Sequence, residues 1–290
     1  MRFWVGDGLV AAEQAHVAVL DHGFTVGDGV FETMRTAVAG DGTVQAFALD
    51  RHLGRLQRSA AGLGLAGPDP DVVARAVAAV CSANPQLRAG GRIRVTCTSG
   101  AGPLGSDRGG APATLVVTAA PVTPWPPTAR LAVSPWPRNE RSPIAGLKTT
   151  SYAENVLMLA HARRLGAGEA LLANLAGNLC EGTGSNVFVV RGGAVLTPPL
   201  TSGCLAGITR ELVLEWGADA GLPVSQAQVA LADLGGVAEV FLTSSTRDIH
   251  PVVSIVGPEG DPVWSGTGPG PLTARLQAVF AARAAEGTNP

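Results

Sequence analysis

One lysine is the residue of this sequence best suited to covalent chemistry. Lys148 lies in the run G-L-K-T-T-S-Y, residues 146–152, beside a predicted helix over 151–165, and it is the only lysine among 21 basic residues. An arginine stays protonated at any working pH, whereas a partly desolvated lysine can lose its proton and form a Schiff base with a carbonyl. The alternative is a lysine with no chemical role at a helix start, where the helix dipole mildly disfavours it. We therefore take Lys148 as the candidate catalytic residue.

Three further features are suited to an anion. In L-A-G-I-T-R, residues 205–210, a glycine directly precedes a predicted helix, and the free N–H groups of a helix start suit a phosphate. The turn T-S-S-T-R-D, residues 243–248, offers hydroxyls that either cap backbone groups or reach a phosphate or carboxylate. Arg55 belongs to an arginine stripe on the predicted helix 51–61, which is either solvated or turned inward to hold a phosphate.

An acidic residue completes this set of groups. Glu181 enters the glycine-rich bend G-T-G-S-N between two apolar strands, where it is either a turn carboxylate or a buried anion that needs a cationic partner. Pyridoxal phosphate requires a lysine for its aldehyde, a helix end for its phosphate and an anion for its pyridinium nitrogen. The residues therefore predict pyridoxal 5′-phosphate as the cofactor.

Composition narrows the class of protein further. The 290 residues are 46% hydrophobic and 15% charged, with a net charge of -2 and no basic block, which disfavours a nucleic-acid groove or a polybasic membrane patch. No apolar run reaches spanning length and no signal peptide is evident, so we expect a cytoplasmic protein with a small-molecule partner. The cysteine and histidine spacings predict neither a disulfide framework nor a metal site.

A proline-rich stretch marks the predicted domain boundary. The run V-T-P-W-P-P-T, residues 122–128, carries three prolines in seven residues and predicts a stiff connector. Residues 1–121 then form a small N-terminal α/β domain, and residues 129–290 form a larger C-terminal domain that carries Lys148.

Five motifs in chain order resemble the class IV aminotransferases, fold type IV of the pyridoxal phosphate enzymes. They are G-D-G-V-F-E-T, H-L-G-R-L-Q-R-S-A, G-L-K, C-E-G-T-G-S-N-V-F and L-A-G-I-T-R, and they cover nearly the whole chain. The resemblance implies a homodimer with a two-domain fold of the α/β (α+β) class, similar to D-amino-acid aminotransferase, with the cofactor at the domain interface.

The same resemblance implies a role for each matching residue. Lys148 would carry the cofactor and shuttle protons, Glu181 would pair with the pyridine nitrogen, and Tyr152 would hydrogen-bond the phenolic oxygen. The phosphate would be bound by the Arg55 side chain, the backbone N–H groups of Ile208 and Thr209, and the Ser245 hydroxyl.

Substrate contacts separate two reactions within the family. Branched-chain enzymes typically have an aromatic residue where this chain has Val26, and the Arg-x-His pair of the D-amino-acid enzymes is absent. The lyase branch resembles this chain in G-D-G-x-F, in S-P-I-A-G-L-K and in an arginine, Arg108, within the glycine-rich loop 99–110. The sequence therefore favours a lyase that converts 4-amino-4-deoxychorismate into 4-aminobenzoate and pyruvate in the folate pathway.

Two alternatives remain open at this point. One is an aminotransferase of branched-chain or D-amino acids, with Arg108 and Arg247 as the carboxylate contacts. The other is a protein that binds the cofactor without catalysis, which the intact Lys148 and Glu181 disfavour.

Overall fold

The chain forms two compact units. The computed structural model describes residues 1–290. The first unit comprises Met1–Thr123, Leu147–Tyr152 and Ala285–Pro290, and the second comprises Pro124–Gly146 and Ala153–Ala284.

The segment that carries Lys148 belongs to the first unit. The sequence analysis had assigned it to the C-terminal domain. The Phe31 N–H donates to the Lys148 carbonyl at 3.0 Å, and the Thr150 N–H donates to the Gly29 carbonyl at 2.8 Å. Val30 and Thr149 form an isolated antiparallel bridge. These backbone bonds attach residues 147–152 to a strand of the first unit, and local sequence patterns do not reveal such long-range pairing.

The first unit is built on a six-stranded sheet. Its strands are β1 (Arg2–Val5), β2 (Gly8–Ala11), β3 (Gly29–Val38), β4 (Val44–Ala46), β5 (Gly91–Thr98) and β6 (Thr114–Pro121), in the order β2-β1-β6-β5-β3-β4. Its helices are α1 (His22–Thr25), α2 (Leu49–Gly62) and α3 (Pro70–Ala83). Alternate residues of β3 and β5, such as Met34 and Ile93, join apolar residues of α3 in one buried cluster. The opposite face of these two strands therefore remains for other contacts.

The helix starts of the first unit follow the sequence in one case and depart from it in the other. Asp69 caps α3 by accepting the Asp71 N–H at 2.9 Å, as its position before a proline predicts. The sequence predicts a helix over 51–61, whereas α2 begins at Leu49 and its capping position is Ala48. An alanine has no side-chain acceptor for this role.

The second unit contains a nine-stranded mixed sheet. Its strands are β7 (Ala129–Val133), β8 (Glu169–Ala173), β9 (Leu179–Gly182), β10 (Asn186–Arg191), β11 (Ala194–Thr197), β12 (Val224–Gln226), β13 (Glu239–Ser244), β14 (Asp248–Val256) and β15 (Pro262–Ser265). The order is β12-β11-β10-β13-β14-β7-β8-β9, and β15 pairs with β14. Its helices are α4 (Ala153–Arg164), α5 (Ile208–Asp219) and α6 (Pro271–Ala285). No helix in either unit has the length and apolar character that crossing a membrane requires.

Candidate active site

In the first unit, the lysine amine lies beside two aromatic rings. Lys148 Nζ is 3.5 Å from the Tyr152 hydroxyl and 4.4 Å from the centroid of the Phe31 ring. The two rings meet edge to face with centroids 5.0 Å apart. The Lys148 N–H donates to Ser59 Oγ of α2 at 3.1 Å, which fixes the backbone. The predicted pair Lys148 and Tyr152 is therefore brought together, with the amine partly buried.

Arg94, a cation that the sequence analysis missed, lies on β5, the strand that pairs with β3. The Arg94 guanidinium carbon is 3.7 Å from the Phe31 ring centroid, and its Nε makes a long hydrogen bond of 3.3 Å to Thr96. Burial lowers the pKa of Arg94, although the nearby Tyr152 opposes this shift. Alternation along β5 is the signal that could have found it, since inward and outward residues alternate in a strand. Arg94 can offer a charged fork to a carboxylate.

The predicted phosphate arginine belongs to a buried cluster of charges. Arg55 donates from Nε and Nη2 to the two carboxylate oxygens of Glu32 at 2.8 and 2.7 Å. The same Glu32 oxygen, Oε2, lies 2.7 Å from His52 Nδ1. Although burial raises the pKa of Glu32, the Arg55 guanidinium and His52 together lower it well below its usual range. Burial lowers the pKa of His52, against the opposing effect of Glu32. This cluster fixes the direction in which Arg55 points.

Arg108, a predicted substrate contact, is held by the protein itself. Its Nε and Nη2 donate to the Asp28 carboxylate at 2.7 and 2.6 Å, and Nη1 and Nη2 donate to the carbonyls of Gly64 and Leu63. The hydrogen bond from Arg108 lowers the pKa of Asp28, and the same bond raises the pKa of Arg108. The structure therefore gives Arg108 an internal counter-ion, Asp28, whereas the sequence analysis proposed a substrate carboxylate as its partner.

A cavity adjoins this ion pair within the first unit. It has a volume of about 510 Å³ and is lined by Val26, Gly27, Asp28, Leu63, Ser106, Asp107, Arg108 and Ser151. The hydroxyls of Thr150 and Ser151 donate to the Gly27 carbonyl at 2.8 and 3.1 Å. These bonds connect the cavity wall to the segment that carries the lysine. The cavity is thus a candidate space for part of a substrate.

In the second unit, the predicted anion Glu181 is already well anchored. Its Oε2 accepts the Leu205 N–H at 2.9 Å, and its Oε1 lies 3.4 Å from Arg138 Nε. Arg138 in turn donates from Nη2 to Asn155 Oδ1 at 3.0 Å. Glu181 is therefore held next to the chain segment that leads into α5.

The start of α5 is a close-packed turn. The Asn186 side chain donates to the Leu205 carbonyl at 2.8 Å, and a Cβ on Gly207 would lie 1.9 Å from Asn186 Oδ1. Ile208 and Thr209 are the first two residues of the helix, where N–H groups have no acceptor within the helix. A side chain at residue 207 would displace the Asn186 amide, so the glycine lets the turn pack directly against Asn186.

The hydroxyl-rich turn, residues 243–248, begins in β13, the strand that pairs with β10 and its residue Asn186. Asn186 is paired with Thr243 of β13, and Ser245 follows directly after that strand. The second unit therefore places the predicted residues Ile208, Thr209 and Ser245 on elements that Asn186 joins. Sequence reasoning missed Asn186, although it lies within the quoted motif C-E-G-T-G-S-N-V-F.

Arg247, the other predicted carboxylate contact, forms a buried ion pair. Its Nη1 donates to Glu169 Oε2 at 2.6 Å, and both side chains are 6% exposed. The remaining Glu169 oxygen accepts the Gly184 N–H at 2.7 Å and the Ser185 hydroxyl at 2.8 Å. The Arg247 guanidinium also stacks over Trp125 at 4.7 Å. The structure thus assigns Arg247 to holding turns of the second unit and does not support the predicted substrate contact.

The first unit offers a partly buried amine beside a tyrosine hydroxyl, and the second unit offers an anchored carboxylate and a helix start. Each of these is a group that pyridoxal phosphate requires. Residues 29–255 match the family model for amino-transferase class IV. The chain belongs to the class IV aminotransferases, and its cofactor is pyridoxal 5′-phosphate. The sequence prediction of family and cofactor is confirmed at this level, whereas no comparison shows the lyase branch.

Two curated relatives are similar over most of the chain. The putative branched-chain-amino-acid aminotransferase of Methanocaldococcus jannaschii is 33% identical over 268 residues, which is 89% of this chain and 88% of that protein. The D-alanine aminotransferase of Bacillus licheniformis is 32% identical over 283 residues, which is 97% of this chain and 96% of that protein.

Solved structures are similar over nearly the full length. The branched-chain aminotransferase of Thermoproteus uzoniensis with norvaline is 30% identical with a TM-score of 0.87, covering 97% of this chain and 93% of that chain. The T.th. branched-chain aminotransferase complexed with N-(5′-phosphopyridoxyl)-L-glutamate is 29% identical with a TM-score of 0.87, covering 97% and 92%. These likenesses confirm the mixed α/β fold of the type IV enzymes.

Proposed function

We propose that the protein is an aminotransferase that moves an amino group between a branched-chain L-amino acid and a dicarboxylic keto acid. The observation that carries the proposal is the cluster in which Lys148 Nζ lies 3.5 Å from the Tyr152 hydroxyl and Lys148 and Arg94 both contact the Phe31 ring. A nucleophilic amine beside a cation that can hold a carboxylate is the arrangement an α-amino acid requires.

The residues of each unit fit the cofactor. In the first unit, Lys148 would hold it covalently, and Arg55, whose direction is fixed by Glu32, would contact its phosphate. Tyr152 would hydrogen-bond its phenolic oxygen. In the second unit, the Glu181 carboxylate would pair with the ring nitrogen. The phosphate would also be bound by the backbone N–H groups of Ile208 and Thr209 and the Ser245 hydroxyl.

The cofactor supplies an electron sink, and the protein supplies positioning and proton transfer. We propose that Lys148 Nζ takes the proton from the substrate Cα and would deliver it to the C4′ carbon of the cofactor. The Phe31 and Tyr152 rings flank the amine, with ring centroids 4.4 and 5.9 Å from Nζ.

The substrate side chain and carboxylate find complementary groups in the first unit. Val26 and Leu63 give the 510 Å³ cavity an apolar part, which suits a branched aliphatic side chain. The Arg94 side chain donates its hydrogen bond to the neutral Thr96 hydroxyl, so its charge is not committed to a carboxylate there. We propose that Arg94 holds a substrate carboxylate, in line with the phosphopyridoxyl-L-glutamate complex of the T.th. enzyme.

Arg94 has a matched control on the same strand. Arg94→Lys removes the planar fork but keeps the charge, so we expect KM for L-glutamate to rise about fivefold to a hundredfold. Arg92→Lys changes an exposed side chain two residues away, and we expect the KM to stay within twofold. Equal effects of the two substitutions would contradict the role of Arg94.

The lyase that the sequence favours is the weaker proposal. Its argument from the glycine-rich loop needs Arg108 to receive the substrate, yet the Nε, Nη1 and Nη2 atoms of that side chain donate to Asp28, Leu63 and Gly64. Names of relatives at 32–33% identity also refer to aminotransferases. The aminotransferase therefore has more support on both counts.

We also propose that the enzyme is a homodimer, as the family resemblance implies. Three apolar side chains of the first unit are strongly exposed, namely Val19 at 77%, Phe24 at 78% and Leu104 at 83%. Their segments are neighbours, since the Gly102 N–H donates to the Leu20 carbonyl at 3.0 Å. Clustered apolar side chains on a surface mark interaction sites. Sedimentation of Phe24→Ser at half the native mass would support the dimer, and a monomeric native protein would refute it.

A single-turnover experiment tests the proposed reaction. The purified holoenzyme is mixed with L-leucine, L-glutamate or D-alanine in the absence of keto acid, and its absorption spectrum is followed. We expect L-leucine and L-glutamate to convert the cofactor to its pyridoxamine form, with no conversion by D-alanine or by the Lys148→Ala variant. Conversion by D-alanine alone would replace the proposed substrate class. No conversion, together with 4-aminobenzoate fluorescence on adding 4-amino-4-deoxychorismate, would establish the lyase instead.

A further inference from the structure

Helix α2 carries site residues but lacks a cap of its own. Its capping position is Ala48, which has φ 56° in the left-handed region and no side-chain acceptor. The first N–H groups of any helix need acceptors from outside it, and side-chain oxygens usually supply them. The same helix carries His52 and Arg55, two of the three members of the buried charge cluster.

The missing acceptors come from a distant segment, residues 288–290, which we call the capping segment. The Ala48 N–H donates to the Thr288 carbonyl at 2.7 Å, and the Asp50 N–H donates to Asn289 Oδ1 at 3.0 Å. Arg51 Nε donates to the Pro290 carbonyl at 2.9 Å. The capping segment and α2 belong to the same compact unit. An asparagine oxygen on the second N–H of a helix is the contact that a capping residue normally makes within its own helix.

A short chain of contacts leads from this cap to the cofactor arginine. The Ala48 carbonyl accepts the His52 N–H at 3.1 Å, so the capped turn determines where His52 lies. His52 Nδ1 lies 2.7 Å from Glu32 Oε2, and Arg55 Nη2 donates to that same oxygen at 2.7 Å. Displacement of the first turn would therefore move the carboxylate that orients Arg55.

We propose that the capping segment acts as the N-terminal cap of α2, with Asn289 as the capping residue, and thereby positions Arg55 for the cofactor phosphate. The inference rests on the proposed contact between Arg55 and the phosphate. Asn289 is a positioning residue, since it touches neither the cofactor nor the substrate and acts through the helix.

The test compares two ligands that differ only in the phosphate. The full-length protein, freed of cofactor, is titrated with pyridoxal 5′-phosphate and with pyridoxal. We expect Asn289→Ala to weaken binding of the phosphate form about threefold to tenfold, within the range that loss of a helix cap produces, and to leave pyridoxal binding within twofold. Amide hydrogen exchange at Asp50 should become faster in the same variant.

Two further variants of the capping segment serve as controls. Asn289→Asp keeps a side-chain acceptor and adds a negative charge that the helix start favours, so we expect native affinity for both ligands. Thr288→Ala removes a hydroxyl that donates to Gln45 at 2.6 Å but keeps the carbonyl that receives the Ala48 N–H. It should also leave both affinities within twofold.

The outcomes separate this inference from the role of Arg55 itself. If Arg55→Lys weakens the phosphate form selectively while Asn289→Ala changes neither affinity nor exchange at Asp50, the capping role is refuted and the phosphate contact stands. Faster exchange with unchanged affinity would refute the positioning role. If Arg55→Lys affects both ligands equally, the phosphate contact fails, and the positioning of Arg55 for the phosphate fails with it.

Discussion

Replacement of Glu32 by glutamine should be among the most damaging single changes in the first unit. The carboxylate is 1% exposed and accepts two hydrogen bonds from Arg55 and one contact from His52, all between 2.7 and 2.8 Å. An amide of the same shape retains one acceptor and turns an N–H₂ group toward these donors. Arg55 would then lose the carboxylate with which it is paired, and breaking a buried ion pair costs about 3–5 kcal/mol.

Thermal unfolding of the full-length protein measures this loss. We expect the first transition of Glu32→Gln to occur roughly 10 °C below that of the native protein. The matched control is Glu154→Gln, because Glu154 is 72% exposed and its ion pair with Arg138 is long, at 3.4 Å. Exposed pairs of this kind contribute little, so the control should unfold at the native temperature.

The same cluster predicts how stability depends on pH. The folded pKa of Glu32 lies well below its ordinary value of 4.5, so the unfolded chain binds more protons near and below that value. The stabilisation is therefore fully present above about pH 5 and decreases as the pH falls below about 4.5. Glu32→Gln should abolish this part of the acid sensitivity. A variant that unfolds within about 1 °C of the native protein, with an unchanged acid profile, would refute the argument.

Three other predictions follow from the geometry. Gly207→Ala would place a Cβ 1.9 Å from the Asn186 side-chain oxygen, so we expect cofactor binding to be at least about tenfold weaker in a titration. Its control, Gly236→Ala, adds a Cβ with no atom within 4 Å and should bind the cofactor normally. Asp28→Asn removes the carboxylate that holds Arg108, so limited trypsin digestion should cut after Arg108 faster; an unchanged rate would contradict the role of this ion pair. All four cysteines are buried, and burial raises the pKa of the Cys81 thiol to about 11, so Ellman's reagent at about pH 8 should find no fast thiol in the native protein and four after denaturation.

The sequence predicted the groups with local signatures and missed those that depend on long-range pairing. Lys148 and Glu181 are recognisable by residue type and by the turns beside them, and the start of α5 by its glycine. Arg108 finds its partner 80 residues away in Asp28, and Arg247 finds its partner 78 residues away in Glu169. Such partners depend on strand register, which a single sequence does not specify.

The roles of aromatic residues were similarly hidden. Phe31 is part of the motif G-D-G-V-F-E-T, but the motif does not show that its ring contacts both the Lys148 amine and Arg94. The contact with Arg94 depends on which strand lies next to β3. That strand is β5, and Thr33 of β3 is paired with Arg94 of β5. Amphipathic alternation shows which residues share a face but not which strand lies beside them.

The discontinuous first unit has a consequence for how the enzyme matures during synthesis. Its third segment, Ala285–Pro290, is translated only after the whole of the second unit, and the bond between Asp50 and Asn289 spans 239 residues. Domains generally fold as units while the chain is being made, beginning at the N-terminus. Helix α2 would therefore emerge from the ribosome early and remain without these capping contacts until residues 288–290 have been synthesised. Cofactor capture that depends on Arg55 would then follow synthesis of the whole second unit.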